Sequence, residues 1–526
     1  MEEFLQAETI IIELLLVVAI VAMAVRRFRI PYTVALVVVG LVITTSQPIG
    51  LEMTPELILA LFLPPLVFQA AFHINISELR HDLVGILLLA VPGVILTTSI
   101  VGSLVSVTTS LSLPLALVFG ALIAATDPVA VVAVFRSLGV PNRLGLLVEG
   151  ESLLNDGTAI VIFNLMLVSA LTDRLDLAAG ALDFARVAAG GILIGLFFGW
   201  LVSQVIARVD DYLIETTLTT VLAFGTYLLA ERLQVSGVLA VVAAGLINGN
   251  IGPSGMSPTT RIVLFNFWEY VAFLANSLVF LLIGLRVNVR ALAEAWQPIF
   301  WAVVAVLVGR VVVVYGLGLL ANRFSEPIPF RWQNVLAWSG LRGAVSLALA
   351  LSLPLALGPD REVLQVMAFG VVLFTLLVQG TTIQPLLGWL RVGVSRGADS
   401  LRFEELHARL AALREGERHL NTMHREGLLS SYTWEDMSSV MRDEENSLTE
   451  QVNDLLDTNP RLAEEEREAA RKELLRAQRG ALMANRRDGL ISAEVFEKLT
   501  VEVDEALEGE DHHLSREKAS ESEAAG

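Results

Sequence analysis

The sequence predicts an all-α, polytopic membrane protein that ends in a helical tail. Of its 526 residues, 54% are hydrophobic and only 17% are charged, whereas about a quarter of a typical soluble protein is charged. Long apolar runs fill the chain up to about Ser395, and a helix needs about 20 apolar residues to cross a membrane. From Arg396 onward the chain is instead rich in Glu, Asp, Arg and Ala, and this part carries most of the net charge of −18.

Thirteen apolar segments are candidate membrane-spanning helices. The second and ninth are short, which tilted or re-entrant helices would explain. If the first six and the last six segments are two six-helix repeats, the seventh segment between them gives the repeats inverted orientations. The segments cover residues 7–25, 31–45, 55–74, 82–107, 113–137, 143–171, 178–207, 212–230, 235–249, 263–285, 293–321, 331–357 and 362–390.

The charges beside these segments predict an orientation. Glu2 and Glu3 precede the first segment and the cluster Arg26, Arg27 and Arg29 follows it, an order typical of a span with its N-terminus outside rather than of a cleavable signal peptide. The loops that then lie inside carry more Arg than the outer loops, as the positive-inside rule requires. We expect a multi-pass protein of a prokaryotic plasma membrane with a cytoplasmic tail.

Composition excludes several function classes. The chain has no Cys, which rules out disulfides, thiol catalysis and Cys-ligated metals. Its seven His are scattered without the spacing of zinc ligands. The tail is too acidic for nucleic-acid binding. No motif assembles Ser, His and Asp into an enzyme site, and we predict no cofactor.

The tail is predicted to form capped helices. Arg425-Glu-Gly-Leu-Leu-Ser430 recurs as Arg487-Asp-Gly-Leu-Ile-Ser492, with the Gly ending one helix and the Ser starting the next. We divide the chain into a membrane domain (1–395), a tail of two helical hairpins (396–511) and a disordered end (512–526). The tail is either a solvated scaffold or a regulatory or dimerising module.

Five ionisable residues fall well inside the predicted spans, where a charge is costly and marks a functional candidate. They are Asp127, Glu151, Asp156, Arg310 and Arg342.

The sixth segment contains the densest polar cluster, and the 100° turn per residue of a helix sorts its members. Asp156, Ser152 and Asn155 fall within an arc of about 100°. We predict that Asp156 binds the ion, that Ser152 offers a neutral ligand, and that Asn155 either binds the ion or fixes the neighbouring backbone. Glu149 lies within about 20° of the Asp156 direction, roughly 10 Å toward the cytoplasmic end, and is predicted to line the approach. Glu151 faces about 140° away.

Glu151 is predicted to form a buried structural ion pair. A buried carboxylate that lacks a cationic partner tends to take up a proton, whereas a paired one stays charged. Arg342 is the first candidate partner and Arg310 is the second. Arg310 could instead orient other core groups or face water.

Two interruptions are predicted in the fifth and twelfth segments, the fifth place of each repeat. Pro128 removes a backbone donor and frees the carbonyl of Ala124, and Ser339-Gly-Leu-Arg-Gly-Ala344 places two glycines in the twelfth segment. Interrupted helices at matching positions of inverted repeats point to a transport site. Asp127 is either a second ion ligand or a stabiliser of the broken helix ends.

Electrostatics predicts exchange at Asp156. Burial disfavours the charged form of a carboxylate, so a proton and a metal cation compete for it. If the site is open to one side at a time, this competition becomes exchange of the two ions.

Four motifs carry a resemblance to a known family. In order and spacing they resemble the cation/proton antiporters, which include the sodium/proton exchangers and the archaeal NhaP antiporters. The resemblance covers residues 7–390 and is weaker for the tail. The motifs are Leu63-Pro-Pro65, Thr126-Asp-Pro128, Glu149-Gly-Glu-Ser-Leu-Leu-Asn-Asp-Gly157 and Gly340-Leu-Arg-Gly-Ala-Val-Ser346.

The resemblance implies an activity and an architecture. It implies exchange of Na+, or of Li+ or K+, for H+ by alternating access, in a thirteen-helix homodimer whose core domain moves against a dimerisation domain. By resemblance Asp156 is the carboxylate of the transported ion, and Thr126 and Ser152 contribute ligands. The resemblance also implies that Glu151 pairs with Arg342. The Asn155-Asp156 pair is associated with electroneutral exchange.

One position departs from the family pattern. Some relatives place a carboxylate that faces the ion four residues after the second Pro, where this chain has Gln69. An amide offers an oxygen but no charge, which would change ion affinity or selectivity.

The sequence leaves three alternative interpretations. A K+-preferring or broad exchanger would use the same site. A passive channel would need a continuous pore, and the sequence shows no repeated ring of filter carbonyls. A non-transporting scaffold gives no reason to bury Asp127 and Asp156 beside broken helices.

Overall fold

The structure, a computed structural model, describes most of the chain. It divides into two compact units, Met1–Val394 and Ser395–Gly526. The predicted disordered end, residues 512–526, lies outside the described residues. Those residues are 2–25, 31–46, 55–172, 177–209, 211–252, 258–286, 289–323, 327–392, 398–487, 490–492, 494–496 and 498–500.

The first unit is built from helices. A 3-10 turn covers Leu355–Leu357, and a π-helical turn, Thr375–Gln379, joins the last two helices. The helices are α1 (Glu2–Val25), α2 (Tyr32–Ser46), α3 (Pro55–His73), α4 (Ile76–Ala90), α5 (Pro92–Thr108), α6 (Leu113–Leu122), α7 (Val129–Leu138), α8 (Asn142–Thr172), α9 (Leu177–Ile206), α10 (Tyr212–Arg232), α11 (Gly237–Ile251), α12 (Pro258–Arg286), α13 (Val289–Glu294), α14 (Trp296–Ala321), α15 (Phe330–Trp338), α16 (Ala344–Leu351), α17 (Pro359–Phe374) and α18 (Gly380–Leu390).

Every predicted apolar segment corresponds to a helix or to two consecutive helices, which confirms the all-α prediction. Within the described residues, seven helices are long and apolar enough to cross a membrane, counting Ile76–Thr108 and Pro359–Leu390 as continuous, and five shorter apolar helices accompany them. The fourth segment is bent at Val91, where Pro92 begins α5. Proline is well tolerated at the first position of a helix, so the chain continues there with a change of direction.

The helices α2 and α12 cross at close range. A Cβ atom on Gly40 would lie 2.9 Å from the Cα atom of Gly284, so the absence of a side chain at both positions lets the two backbones approach. Such small-residue crossings are common between membrane helices, because van der Waals contact rather than water exclusion holds them together.

An ion pair fixes α4 against the start of α8. Asp82 is 3% exposed, and Arg143 donates to both of its carboxylate oxygens, with the Nη2 to Oδ1 distance 2.7 Å. Arg143 also donates to the Pro327 carbonyl and lies over the ring of Trp332. The two helices and the residues that lead into α15 are therefore held together.

The second unit contains α19 (Ala398–Arg425), α20 (Ser431–Thr458) and α21 (Pro460–Arg487). The first two form a hairpin around a small core of Leu406, Leu410, Leu448 and Val452. Gly427 ends α19 with φ of 72°, a left-handed conformation that glycine adopts without strain.

The sequence repeat in the tail corresponds to a repeat of local structure. Ser430 accepts a hydrogen bond from Thr433 N, and Ser492 accepts one from Val495 N. His424 stacks on Trp434, and the Arg486 guanidinium lies over Phe496 at the matching place. Both turns therefore have a serine cap, and in both a planar side chain lies over an aromatic ring.

Candidate functional site

Two helices of the first unit are interrupted, and their unwound segments touch. The first interruption separates Leu122 in α6 from Val129 in α7, and the second separates Trp338 in α15 from Ala344 in α16. Asp127 N donates to the Leu341 carbonyl across the contact, at 2.8 Å. Both interruptions fall where the sequence places them, at Pro128 and at the paired glycines.

The carbonyls freed by the first interruption are satisfied by side chains. Ala124 O accepts from Asn155 Nδ2 at 3.1 Å and from Arg342 Nη1 at 2.7 Å. Ala125 O accepts from Arg342 Nη1 at 3.1 Å and from Ser346 Oγ at 3.3 Å. Buried backbone groups need such partners, so these three side chains hold the unwound segment open.

Asn155 fixes the backbone rather than facing the cavity. Its Nδ2 atom bridges Ala124 O and Thr126 Oγ1, both at 3.1 Å, and Asn155 is not among the residues that line the cavity described next. Of the two roles left open by the sequence, these contacts favour the second.

A cavity of about 370 Å³ reaches the interruptions. It extends from Asp156 toward the end of the unit where α3 and α7 finish and α8 begins. Asp156 and Asp127 both line it, and Glu269 on α12 lines it too. The other predicted site residues on its wall are Gln69, Thr126, Glu149 and Ser152.

The two aspartates differ in how they are held. Asp127 Oδ1 accepts from Val129 N at 3.0 Å, which caps the start of α7. Asp156 Oδ1 has no hydrogen-bond partner among the described residues. Ser152 donates to the Thr126 carbonyl, so the neutral groups beside Asp156 are set by α8 and the unwound segment together. Asp156 is therefore the carboxylate available to a ligand.

The partner of Glu151 is Arg310, not Arg342, so the first-choice pairing is corrected. Arg310 donates through Nη1 to Glu151 Oε1 and through Nη2 to Oε2, the latter at 2.9 Å. Arg310 also donates to the Leu336 carbonyl. The bidentate geometry suits a guanidinium and a carboxylate. Arg310 is the partner because α14 places it next to the face of α8 that carries Glu151.

Arg342 acts on the unwound segment instead. It is 1% exposed, its guanidinium holds the two carbonyls named above, and its backbone N donates to Thr375 Oγ1 in the π-helical turn at 3.1 Å. Arg342 is also a charged neighbour of Asp156. The second interruption thus supplies a positive charge next to Asp156.

Three residues on the cavity wall are not among the site residues predicted from the sequence. His73 lies one turn after Gln69, and its Nδ1 atom is 2.8 Å from Gln69 O. Arg136 lies 3.4 Å from Glu149, and Glu269 faces them from α12. The only sequence signal for His73 was its four-residue spacing from Gln69, and nothing marked Arg136 as part of the wall.

We expect Gly343→Ala to impair the site. A Cβ atom at position 343 would overlap Asp127 Oδ2 and lie 2.7 Å from Asp127 Cγ, so Asp127 or the unwound backbone must move. The measurement is ion exchange in proteoliposomes at matched protein content, with a loss of tenfold or more expected.

Gly145→Ala is the matched control. A Cβ atom at position 145 on α8 meets no atom within 4 Å, and Ala is the better helix former by about 1 kcal/mol. Equal rates for both alanine variants would contradict the close packing of Asp127 on Gly343.

Two interrupted helices that cross beside carboxylates, reached by a cavity lined in part by carboxylates, define a secondary transporter site. The chain matches the family model described as sodium/hydrogen exchanger, transmembrane, over residues 14–389. The chain belongs to this sodium/hydrogen exchanger family, a family of transporters, and the prediction that it is not an enzyme is confirmed.

Individual relatives and a solved structure agree with this assignment. The Na+/H+ antiporter ApNhaP of Aphanothece halophytica is 42% identical over 426 residues, which is 80% of this chain and 81% of that one. The Na+/H+ antiporter NhaG of Bacillus atrophaeus is 37% identical over 489 residues, 90% of this chain and 92% of that one. The sodium proton antiporter MjNhaP1 of Methanocaldococcus jannaschii has the same fold, with a TM-score of 0.62 at 20% identity, covering 74% of this chain and 99% of that one.

Proposed function

We propose that the chain exchanges Na+ for H+ across a membrane, with Asp156 holding the two ions in turn. The observation that carries the proposal is the cavity that ends at Asp156 beside two interrupted helices. A desolvated carboxylate next to neutral oxygens attracts a proton and a hard cation alike. Curated relatives at 35–42% identity are Na+/H+ antiporters by name, which supports Na+ as the cargo.

The packing on the side of Asp156 that faces away from the cavity supports alternating access. Toward the other ends of α12 and α16, two small spaces of about 30 and 10 Å³ lie among the described residues. These are lined mainly by apolar side chains such as Val279, Leu282, Ala348 and Leu351. Such a seal blocks ions on one side while the cavity admits them on the other, which a passive channel would not need. Movement of α16 against α12 would open the sealed side.

Each ion ligand has a specific role in this proposal. Asp156 carries the exchanged charge, and Ser152, Thr126 and Gln69 offer neutral oxygens. Asp127 shapes the unwound segment and adds a negative charge beside the ion. The Asn155-Asp156 pair, which the family resemblance associates with electroneutral exchange, supports the replacement of one H+ by one Na+ at Asp156.

The proposed architecture follows the family expectation. It has thirteen spans in two inverted six-helix repeats, and two copies form a dimer in which a core domain moves against a dimerisation domain. The N-terminus is outside and the tail is cytoplasmic, because that orientation places the excess of loop Arg inside. The tail, 396–511, is a regulatory or dimerising module in this proposal.

Proton-coupled flux with three cations tests the function. We expect purified protein in liposomes with a pH dye to move H+ when Na+ is added, with Li+ accepted and K+ weaker. Adding an ionophore that removes the membrane potential should leave an electroneutral rate unchanged. Cation flux that continues without any proton movement would contradict exchange and favour a channel.

A further inference from the structure

An ion pair stands at the rim of the cavity on the side away from Asp156. Arg136 Nη2 lies 3.4 Å from Glu149 Oε1, and both residues line the cavity. The Arg136 side chain is 66% exposed and that of Glu149 is 25% exposed. An ion pair this exposed gains little from its geometry, so its partners can separate and re-form at low cost.

Arg136 opposes the charge of the cavity that it lines. Among the described lining residues it is the one guanidinium, whereas the carboxylates are Asp127, Glu149, Asp156 and Glu269. A wall rich in carboxylates concentrates cations. A single Arg in that wall lowers the attraction for Na+, and it does so at Glu149 because that carboxylate is its partner.

Glu149 is placed to pass a cation to Asp156. The two residues are seven positions apart on the continuous helix α8, so they lie on nearly the same face and roughly 10 Å apart along the axis. The cavity joins them, and Ser152 lines it between them. A cation at Glu149 therefore reaches Asp156 by a step of roughly 10 Å along the cavity, past Ser152.

We propose that Arg136 and Na+ compete for Glu149, so that the Arg136–Glu149 pair sets the apparent affinity for Na+. A cation that enters the cavity displaces Arg136 from Glu149. The Arg136–Glu149 pair forms again when the cation leaves Glu149. The proposal rests on the proposed Na+/H+ exchange and adds a specificity-determining residue outside the motifs. Asp156 remains the site of ion competition, so the maximal rate is independent of this pair.

The test is the KM for Na+ and the maximal exchange rate of five variants in proteoliposomes. Arg136→Gln frees Glu149, and we expect a KM about threefold lower with an unchanged maximal rate, the size expected when the cation no longer has to displace an exposed ion-pair partner. Glu149→Gln should raise KM by at least as much. Arg136→Lys keeps a cation beside Glu149 and should keep the wild-type KM.

The double variant R136Q/E149Q separates competition at Glu149 from a simple change of field. Competition predicts the high KM of Glu149→Gln alone, because Arg136 acts through Glu149. A return to the wild-type KM would mean that only the summed charge matters and would overturn the proposal, as would an unchanged KM in Arg136→Gln.

A matched arginine and the wild type complete the design. Arg80 is exposed on α4 and does not line the cavity, so Arg80→Gln should leave KM unchanged. An equal fall of KM in Arg80→Gln would show a general surface effect and would overturn the role of the pair. Wild-type protein without any Na+-driven proton flux would refute the proposed function itself, an outcome distinct from the KM changes.

Discussion

Asp156→Asn is expected to abolish Na+/H+ exchange while the protein stays folded. The substitution keeps the size of the side chain but removes both the proton that exchange carries and the negative charge that holds Na+. Asp156 Oδ1 has no hydrogen-bond partner among the described residues, so an amide at this position breaks no hydrogen bond at that oxygen. The measurement is Na+-driven proton flux in proteoliposomes, with elution on size exclusion as the check of folding.

Asp183→Asn controls for the chemical change. Asp183 is exposed and pairs with Arg186 on the same helix, far along the chain from the interruptions. We expect wild-type flux from that variant. Exchange at the wild-type rate in Asp156→Asn would contradict the assignment of the ion carboxylate.

Arg310→Met is expected to destabilise the protein strongly. The substitution leaves Glu151, 2% exposed, without its cation in the interior, and removing one partner of a buried ion pair costs about 3–5 kcal/mol. It also removes the donors to the Leu336 carbonyl. Thermal unfolding in detergent should show a clear fall in melting temperature and a lower yield of folded protein.

Two variants locate the cause of that loss. Glu151→Met together with Arg310→Met removes both charges, so part of the stability should return. Arg186→Met breaks the exposed pair with Asp183 and should cost less than about 1 kcal/mol. A melting temperature unchanged by Arg310→Met would show that Glu151 does not depend on this pair.

The interruptions and the helical segments could be predicted because their causes are local. Pro128 lacks an amide donor, and the glycines Gly340 and Gly343 weaken the helix at fixed places in the sequence. The length of each apolar run likewise limits the helix that contains it. The caps at Ser430 and Ser492 in the tail were predicted for the same reason, since a cap needs only its neighbours along the chain.

The partner of Glu151 could not be predicted because it depends on which helices become neighbours. Helical periodicity gives the face on which Glu151 lies but not the helix that packs there. Arg342 was the first candidate, and the family resemblance also implied it. In the structure that interruption turns Arg342 toward the carbonyls of Ala124 and Ala125, and α14 brings Arg310 to the carboxylate.

The cavity wall was predicted only in part for a similar reason. Gln69, Thr126, Ser152 and Asp156 belong to motifs, and the structure brings them to one cavity. Arg136 and His73 lie near helix ends, where a charged or polar side chain is ordinary. Their position on the wall follows from the packing of α3, α7 and α8 around the cavity.

Proton release on Na+ binding tests the central claim most directly. Purified protein in weakly buffered detergent solution is titrated with Na+ while a pH dye records released protons, at a pH where the carboxylate is protonated. The account predicts about one proton released for each Na+ bound by the wild type, and none from Asp156→Asn. Stoichiometric Na+ binding without proton release, or full release from Asp156→Asn, would contradict it.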